Sequence, residues 1–482
     1  MMIFDRSRTG RVPKTHLAMS DANPTEIPEE YLREAAPKLP EVSELEVVRH
    51  YTCLSQLNFS IDTKFYPLGS CTMKYNPKVC HELTSRNEYT GVHPHAMIRG
   101  GQGTLACLHE LQGILREITG MAGVSLASAA GAQGEFAGVA MIRAYHRSRG
   151  DRERTEILVP DAAHGTNPAS ATMGGFKVRE IPTDLEGNVD LVALRKALGP
   201  TTAGIMLTNP STLGVFERHV RKIADLVHDA GGLLYYDGAN MNAILGKVRP
   251  GDMGFDVIHL NLHKTFATPH GGGGPGAGPV GVNHNLLSFL PMPIVARNDE
   301  GYTLLSAANE PQSIGQLMAF AGNVGVLLRA YFYARILGCD GMERASNMAC
   351  LNANYLRRKL VEAGFTTWLP ERRATHEFIL SLKEIFSEHQ VSALDFAKRL
   401  LDYDFYAPTV YFPLLIPECL LIEPTETESR ETLDAFAETM ASILMEAQTN
   451  PARVHGAPHE LSVRRLDEVR AARQPDLAYF RR

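Results

Sequence analysis

The 482-residue sequence is 44% apolar and 21% charged with a formal net charge of −6. That composition is ordinary for a soluble globular protein, and the length exceeds one usual core, so two or three lobes are expected. The negative balance argues against nucleic-acid binding, and seven scattered cysteines without a CxxC pair argue against a disulfide framework or zinc site and for a reducing compartment.

No stretch approaches the roughly 18 apolar residues of a membrane span. The opening "MMIFDRSRTGRVPK" lacks the apolar region of a secretory signal. The chain therefore reads as cytoplasmic, with no membrane association. Residues 1–75, rich in Pro and Glu at first, read as an N-terminal arm with short helices. Residues 76–325 read as a large α/β domain, 326–450 as a smaller α+β domain, and 451–482 as a tail. From residue 450 onward seven arginines face four acids, which suits a solvated or subunit-clasping segment.

"LACLHELQGILREITG" spaces Leu105, Leu108, Leu111, Leu115 and Ile118 as an amphipathic helix closed by Gly120. Strands are predicted at 156–161, 176–181, 204–209, 232–237, 256–261 and 278–282. Helices are predicted at 134–150, 191–199 and 220–232 between them. Strands joined by helices imply a mostly parallel, doubly wound sheet covered on both faces. After about residue 310 the pattern turns helical, followed by strands in "HEFILSL" and "VYFPLLI" and a helix in "ESRETLDAFAETMASILMEA".

Gly271, Gly273 and Gly276 match GxGxxG, but Pro275 interrupts and the run leads into a strand rather than a helix. A pliable loop is the simpler reading. Lys264 lies just past the strand "DVIHLN", at the rim where open α/β sheets bind ligands. A lysine has a pKa of about 10.4, so a nucleophilic one needs desolvation or nearby positive potential. "NLHKTF" is suited to both, with His263 beside the lysine.

Other strand ends converge on that rim. Asp237 closes the apolar strand "GGLLYYD" and can pair with the pyridinium nitrogen of pyridoxal phosphate (PLP), with Ala239 in the same pocket; it can equally cap a helix. Asn209 could reach the phenolic oxygen, or serve an Asn-Pro turn. His164 could stack on a pyridine ring, or be a buried structural histidine. In "GAQGEFAG" the backbone amides from Ala132 and Gln133 onward could bind a phosphate at a helix N-terminus, with Glu135 alternatively satisfying the helix dipole. PLP on a doubly wound sheet accounts for all five features together.

"YPLGSCTMKYNPK", "GAQGEFAG", "PDAAHGTNPASA", "YYDGANMNAILGKVRPGDMGFDVIHLNLHKTF", "TPHGGGGPG" and "IEPTETES" resemble the glycine cleavage system P-protein family, from about residue 27 to about residue 473. The chain length is similar to that of subunit 2 of its two-subunit form. The resemblance implies a fold-type I PLP enzyme of the aspartate aminotransferase kind. Lys264 would be the Schiff-base lysine, His164 the ring-stacking histidine and Asp237 the pyridinium partner, with Lys264 and His164 catalytic; Asn209 rests only on analogy with other fold-type I enzymes. It further implies decarboxylation of glycine, transfer of the aminomethyl group to the lipoyl arm of an H-protein, release of CO2, and a two-plus-two heterotetramer with subunit 1. Ala267, Ala277 and Ser211 depart from the residues expected at those positions. Ser70, Cys71, Thr72 and Lys74 form either a loop over the site or a packed turn, and His376 could face the site from the second lobe. Another fold-type I enzyme (an aminotransferase or desulfurase) and a non-catalytic scaffold subunit are the alternatives.

Overall fold

Each β-branched or apolar run between residues 123 and 282 becomes a strand of one seven-stranded sheet. The computed structural model describes residues 2–11, 27–35, 37–93, 96–270 and 275–477. The strands are β1 (Gly123–Ser125), β2 (Glu156–Pro160), β3 (Lys177–Ile181), β4 (Thr202–Thr208), β5 (Leu233–Gly238), β6 (Val257–Leu260) and β7 (Val280–Val282). Their order is β1-β7-β6-β5-β4-β2-β3. The β6-β5-β4-β2-β3 portion is parallel, whereas β7 runs antiparallel to both β6 and β1. All six predicted strands form within a residue or two of their expected bounds, and β1 was missed because three residues are too few for a period-2 signal.

The strands alternate between two cores. Leu233 and Tyr235 enter one, which packs under Val139 and Ile142 of the helix Gly131–Ser148. Leu234 and Tyr236 enter the other, with Leu105, Leu108, Leu111 and Leu115 of the helix Gln102–Thr119 and Ile223 and Val227 of the helix Val220–Asp229. Both faces are thus covered, which a parallel sheet requires.

A hairpin, β8 (Ile294–Asn298) with β9 (Gly301–Leu305), precedes the long helix Val324–Glu362, which Gly338 breaks at φ 59°. A second sheet follows, made of β10 (Thr366–Thr367), β11 (Phe378–Ser381), β12 (Thr409–Val410) and β13 (Cys419–Ile422), in the antiparallel order β10-β11-β13-β12. Its core is separate and holds Phe378, Leu420, Ile422, Phe396 and Phe436. The expected strand "VYFPLLI" is a correction. Only Thr409 and Val410 pair, because Tyr411 turns to φ 56° and Pro413, lacking an amide proton, cannot extend the ladder.

The chain divides into two compact units, Met1–Thr63 and Lys64–Arg482. In the first, the helix Glu44–Ser55 begins with a capping box between Ser43 and Glu46. Among the described residues no helix is long and apolar enough to cross a membrane.

Gly204 illustrates how tightly the parallel strands are set: a Cβ there would meet the Leu233 carbonyl oxygen at 2.4 Å. Gly204→Ala should destabilise the protein by about 1–3 kcal/mol through overpacking, read as a lower midpoint in calorimetry. Gly199, where a Cβ meets nothing within 4 Å, is the control and should tolerate alanine.

Candidate active site

The C-terminal ends of β2, β4, β5 and β6 lie side by side, and register pairs Thr208 with Asp237 and Asp237 with His259. Asp237 is fully buried. A carboxylate there is costly unless it is compensated. The Ala239 amide donates to Oδ1 at 3.0 Å, Thr208 Oγ1 lies 3.4 Å from Oδ2, and His259 Nε2 lies 3.5 Å from Oδ1. The Asn167 amide, oriented to satisfy its neighbours, donates to Asp237 Oδ2 at 3.1 Å and to Glu135 Oε2 at 3.2 Å. Burial alone would raise the Asp237 carboxyl. His259, His164, the Ala239 amide and Lys264 outweigh it and hold the group below its ordinary value.

Glu135, one turn into the helix Gly131–Ser148, behaves oppositely. Burial first, then the charge of Asp237, push it up to about 7. It accepts from Thr166 Oγ1 (2.7 Å) and Ser170 Oγ (3.0 Å), so its carboxylate serves the neighbouring helix rather than its own N-terminus. That helix makes its first intrahelical bond from the Gly134 amide to the Ala130 carbonyl, leaving the amides of Gly131, Ala132 and Gln133 without intrahelical partners. The Gln133 side chain is occupied, accepting from the Ala129 amide at 2.7 Å and donating to the Leu317 carbonyl at 3.0 Å. Only glycine fits at 131, because a Cβ would lie 1.8 Å from Asn261 Oδ1.

Lys264 follows β6 and is buried. Among the described residues its ammonium makes no hydrogen bond or ion pair. Its charge acts on Asp237, His164, His259 and His263, and also on Cys71, His376, Glu377 and Glu423. His164 donates from its backbone to Thr208 Oγ1 at 2.9 Å, and its ring meets Phe412 at 6.0 Å. Burial lowers its pKa, with Asp237 opposing and Lys264 assisting. Asn209 Oδ1 accepts from the Glu217 amide at 3.0 Å, while its buried Nδ2 is left without a partner among the described residues. His263 packs edge-on against His270 at 5.1 Å, and burial drives it down to about 3. The Gly271–Gly274 part of the glycine run lies outside the described residues.

The Ser70–Lys74 segment runs beside β13. The Gly69 amide donates to the Leu421 carbonyl, the Ser70 amide to Glu377 Oε2 (2.6 Å) and Thr72 Oγ1 to Glu423 Oε1 (2.5 Å). Burial works against the Lys74 ammonium, but Glu426 at 2.6 Å and Tyr333 at 3.2 Å more than offset it. His376 is fully buried beside this segment, and burial lowers it to about 3. Sequence reasoning missed His259, Glu377 and Glu423. The histidine's one signal was a polar residue inside an apolar strand; the glutamates lie 46 residues apart in sequence and meet only through the pairing of β11 with β13.

A mostly parallel sheet with Asp237, His164 and Lys264 on one rim, followed by a smaller α+β part, defines the fold-type I architecture of PLP-dependent enzymes. The profile of the glycine cleavage system P-protein matches residues 17–401, and that of the glycine dehydrogenase C-terminal domain matches residues 345–459. A probable glycine dehydrogenase (decarboxylating) subunit 2 from Methylococcus capsulatus is 68% identical over 99% of this chain and 98% of its own. One of the same description from Thiobacillus denitrificans is 64% identical over 99% of each. The inhibitor-bound crystal structure of a glycine decarboxylase (P-protein) superposes with a TM-score of 0.73 at 22% identity, covering 87% of this chain and 94% of that one. The chain belongs to the glycine cleavage system P-protein family.

The raised Glu135 carboxyl has a stability consequence. The folded state binds a proton that the unfolded chain has already lost between about pH 4.5 and 7, so this group costs stability as pH rises through that window. Glu135→Gln removes that cost. The thermal midpoint of the variant relative to wild type should therefore be higher at pH 8 than at pH 5.5, measured in the same buffers.

Proposed function

We propose that this chain is the PLP-binding catalytic subunit that decarboxylates glycine and passes the aminomethyl group to the lipoyl arm of an H-protein. The observation that carries this reading is a fully buried aspartate, compensated on one side and sharing its rim with a buried lysine whose ammonium has no partner among the described residues. Buried polar atoms left unpaired at the same rim fit a bound group with both acceptors and donors: Asn209 Nδ2, Thr265 Oγ1 and Asn261 Oδ1. An unpaired buried polar group costs free energy until a ligand satisfies it.

Asp237 supplies the buried negative charge that keeps a proton on a pyridine nitrogen opposite it. His164, half-buried and with its pKa lowered by desolvation, offers a ring face instead of a competing charge. The first-turn amides of Ala132 and Gln133 offer a phosphate cradle at the positive end of an 18-residue helix, with Thr265 Oγ1 as a further donor. Asn209 Nδ2 is the donor for a phenolic oxygen, and Ala239 fixes Asp237 through its amide. Lys264 is the residue that binds the cofactor covalently, and His263 lines the same loop. PLP supplies an electron sink for the pair left on the glycine α-carbon when CO2 departs. Burial of Asp237, Lys264 and Asn209 limits the access of water to that carbon before transfer.

The second-subunit description of its relatives supports a partner subunit, which this reading takes as a two-plus-two assembly in the cytoplasm. Lys264→Ala should remove the yellow absorbance of the PLP-loaded protein and abolish exchange between glycine and bicarbonate; exchange at the wild-type rate would overturn the reading. Asp237→Asn should retain bound cofactor yet slow CO2 release on the order of 10²-fold, the size of loss seen when one preorganised electrostatic group is removed.

A further inference from the structure

Within reach of the Lys264 charge lies a second buried polar cluster that the reading above does not use. Glu377 immediately precedes β11 and Glu423 immediately follows β13, and the antiparallel pairing of Phe378 with Ile422 puts the two side by side. Both are fully buried, as is His376, and the ligand-type atoms of the three lie within 4.8 Å of one another. Glu377 accepts from the Ser70 amide at 2.6 Å and from Asn240 Nδ2 at 3.4 Å. Glu423 Oε1 accepts from Thr72 Oγ1 at 2.5 Å. Among the described residues three atoms here remain unpaired, Glu423 Oε2, Ser70 Oγ and His376 Nε2, and the His376 nitrogen stands 4.0 Å from Glu423 Oε1. This is a built polar cluster with hydrogen-bonding capacity left over among the described residues.

Two buried carboxylates this close cannot both be ionised against one lysine, since each raises the cost of charging the other. Burial pushes Glu377 up to about 7, and burial together with Glu377 pushes Glu423 well above the ordinary carboxylate value. Lys264 opposes both shifts, Thr72 opposes that of Glu423, and Glu426 adds to it. Of the other groups on which the Lys264 charge acts, three histidines and one thiol are poor proton donors at neutral pH. His263, His270 and His376 are driven neutral by burial, and the Cys71 thiol is raised by burial.

The reaction proposed above needs such a proton. As CO2 leaves glycine, the electron pair on the α-carbon forms a C–S bond with one sulfur of the lipoyl disulfide. The S–S bond breaks, and the departing sulfur takes its electron pair and one proton to become a thiol. Glycine is oxidised and the disulfide reduced, and the sum consumes one proton. Resting on that reading, we propose that Glu377 and Glu423 share a single proton at neutral pH and that Glu423, whose Oε2 is free, delivers it to the departing sulfur. The next glycine must lose a proton from its ammonium before its nitrogen can attack, and this reloads the pair.

The test uses PLP-loaded protein with its partner subunit and free lipoamide as the disulfide, comparing wild type with Glu423→Gln and Glu377→Gln. In the infrared, the carboxylic-acid C=O band of wild type at pH 7 should lose the same intensity in either single variant, because neutralising one partner lets the other ionise. Thiol appearance in Glu423→Gln should slow by about 10²-fold at pH 8, the scale of a lost general acid, and recover as pH falls, while the absorbance change on adding glycine stays as in wild type. Thiol appearance at the wild-type rate, an acid band lost in only one variant or in neither, or one metal ion per chain that either substitution releases would each overturn the inference. Loss of the glycine-induced absorbance change in wild type itself would instead overturn the function on which it rests.

Discussion

Asp237 carries a charge with no exposed surface at the tip of a strand that is apolar on both faces, and the rim is organised around that cost. Its compensation comes from three directions. Thr208 and His259 flank it in register on the adjacent strands, the Ala239 amide folds back from the turn beyond, and Asn167 reaches in from the helix after β2. These partners sit on different segments, so the carboxylate holds its place only when β4, β5 and β6 are all paired. The same charge displaces its neighbours' chemistry: Glu135 is driven toward the protonated state, while His164 and His259 are kept neutral by burial despite its pull. One rim therefore holds a fixed negative charge, neutral rings and a lysine without a counter-ion among the described residues. Such an arrangement costs stability, which marks the rim as a candidate site rather than a structural core.

The opposite wall is made by the second sheet and by the strip Leu68–Lys74. Gly69 lies so close to β13 that a Cβ would meet Leu421 Cγ at 2.3 Å, which lets the Ser70 amide and Thr72 hydroxyl reach the two glutamates. Lys74 anchors the far end of the strip in a buried ion pair with Glu426, braced by Asn242 and Tyr333. The Lys264 charge thus acts both on an aspartate held below its ordinary pKa and on a glutamate pair raised above it. Environments that push like groups apart in this way separate an electrostatic role from an acid role.

Much of the large sheet was legible because each strand is a short apolar run bounded by turn residues, and each helix between carries a 3.6-residue stripe. The residues at strand ends were legible for a related reason. An Asp, Asn, His or Lys that terminates an apolar run must point into the crevice above the sheet, and four such ends in one parallel sheet point to one crevice. What stayed hidden has equally specific causes. His259 looks like any polar residue within a strand until register sets its ring against Asp237. The segment after Val410 reads as a strand by composition, but Tyr411 and Pro413 end the pairing.

By itself the sequence determined the fold class, the rim and its lysine, because period, turn chemistry and strand-end polarity are local properties that a chain displays in order. Only the tertiary structure decided which charges survive there. Whether Asp237 stays ionised, whether Glu135, Glu377 and Glu423 keep protons, and whether Lys264 finds a counter-ion among the described residues all depend on distances between segments more than 350 residues apart, such as Thr72 and Glu423, 351 residues apart. Coulomb interactions and desolvation act through space and not along the chain, so no spacing in the sequence encodes them.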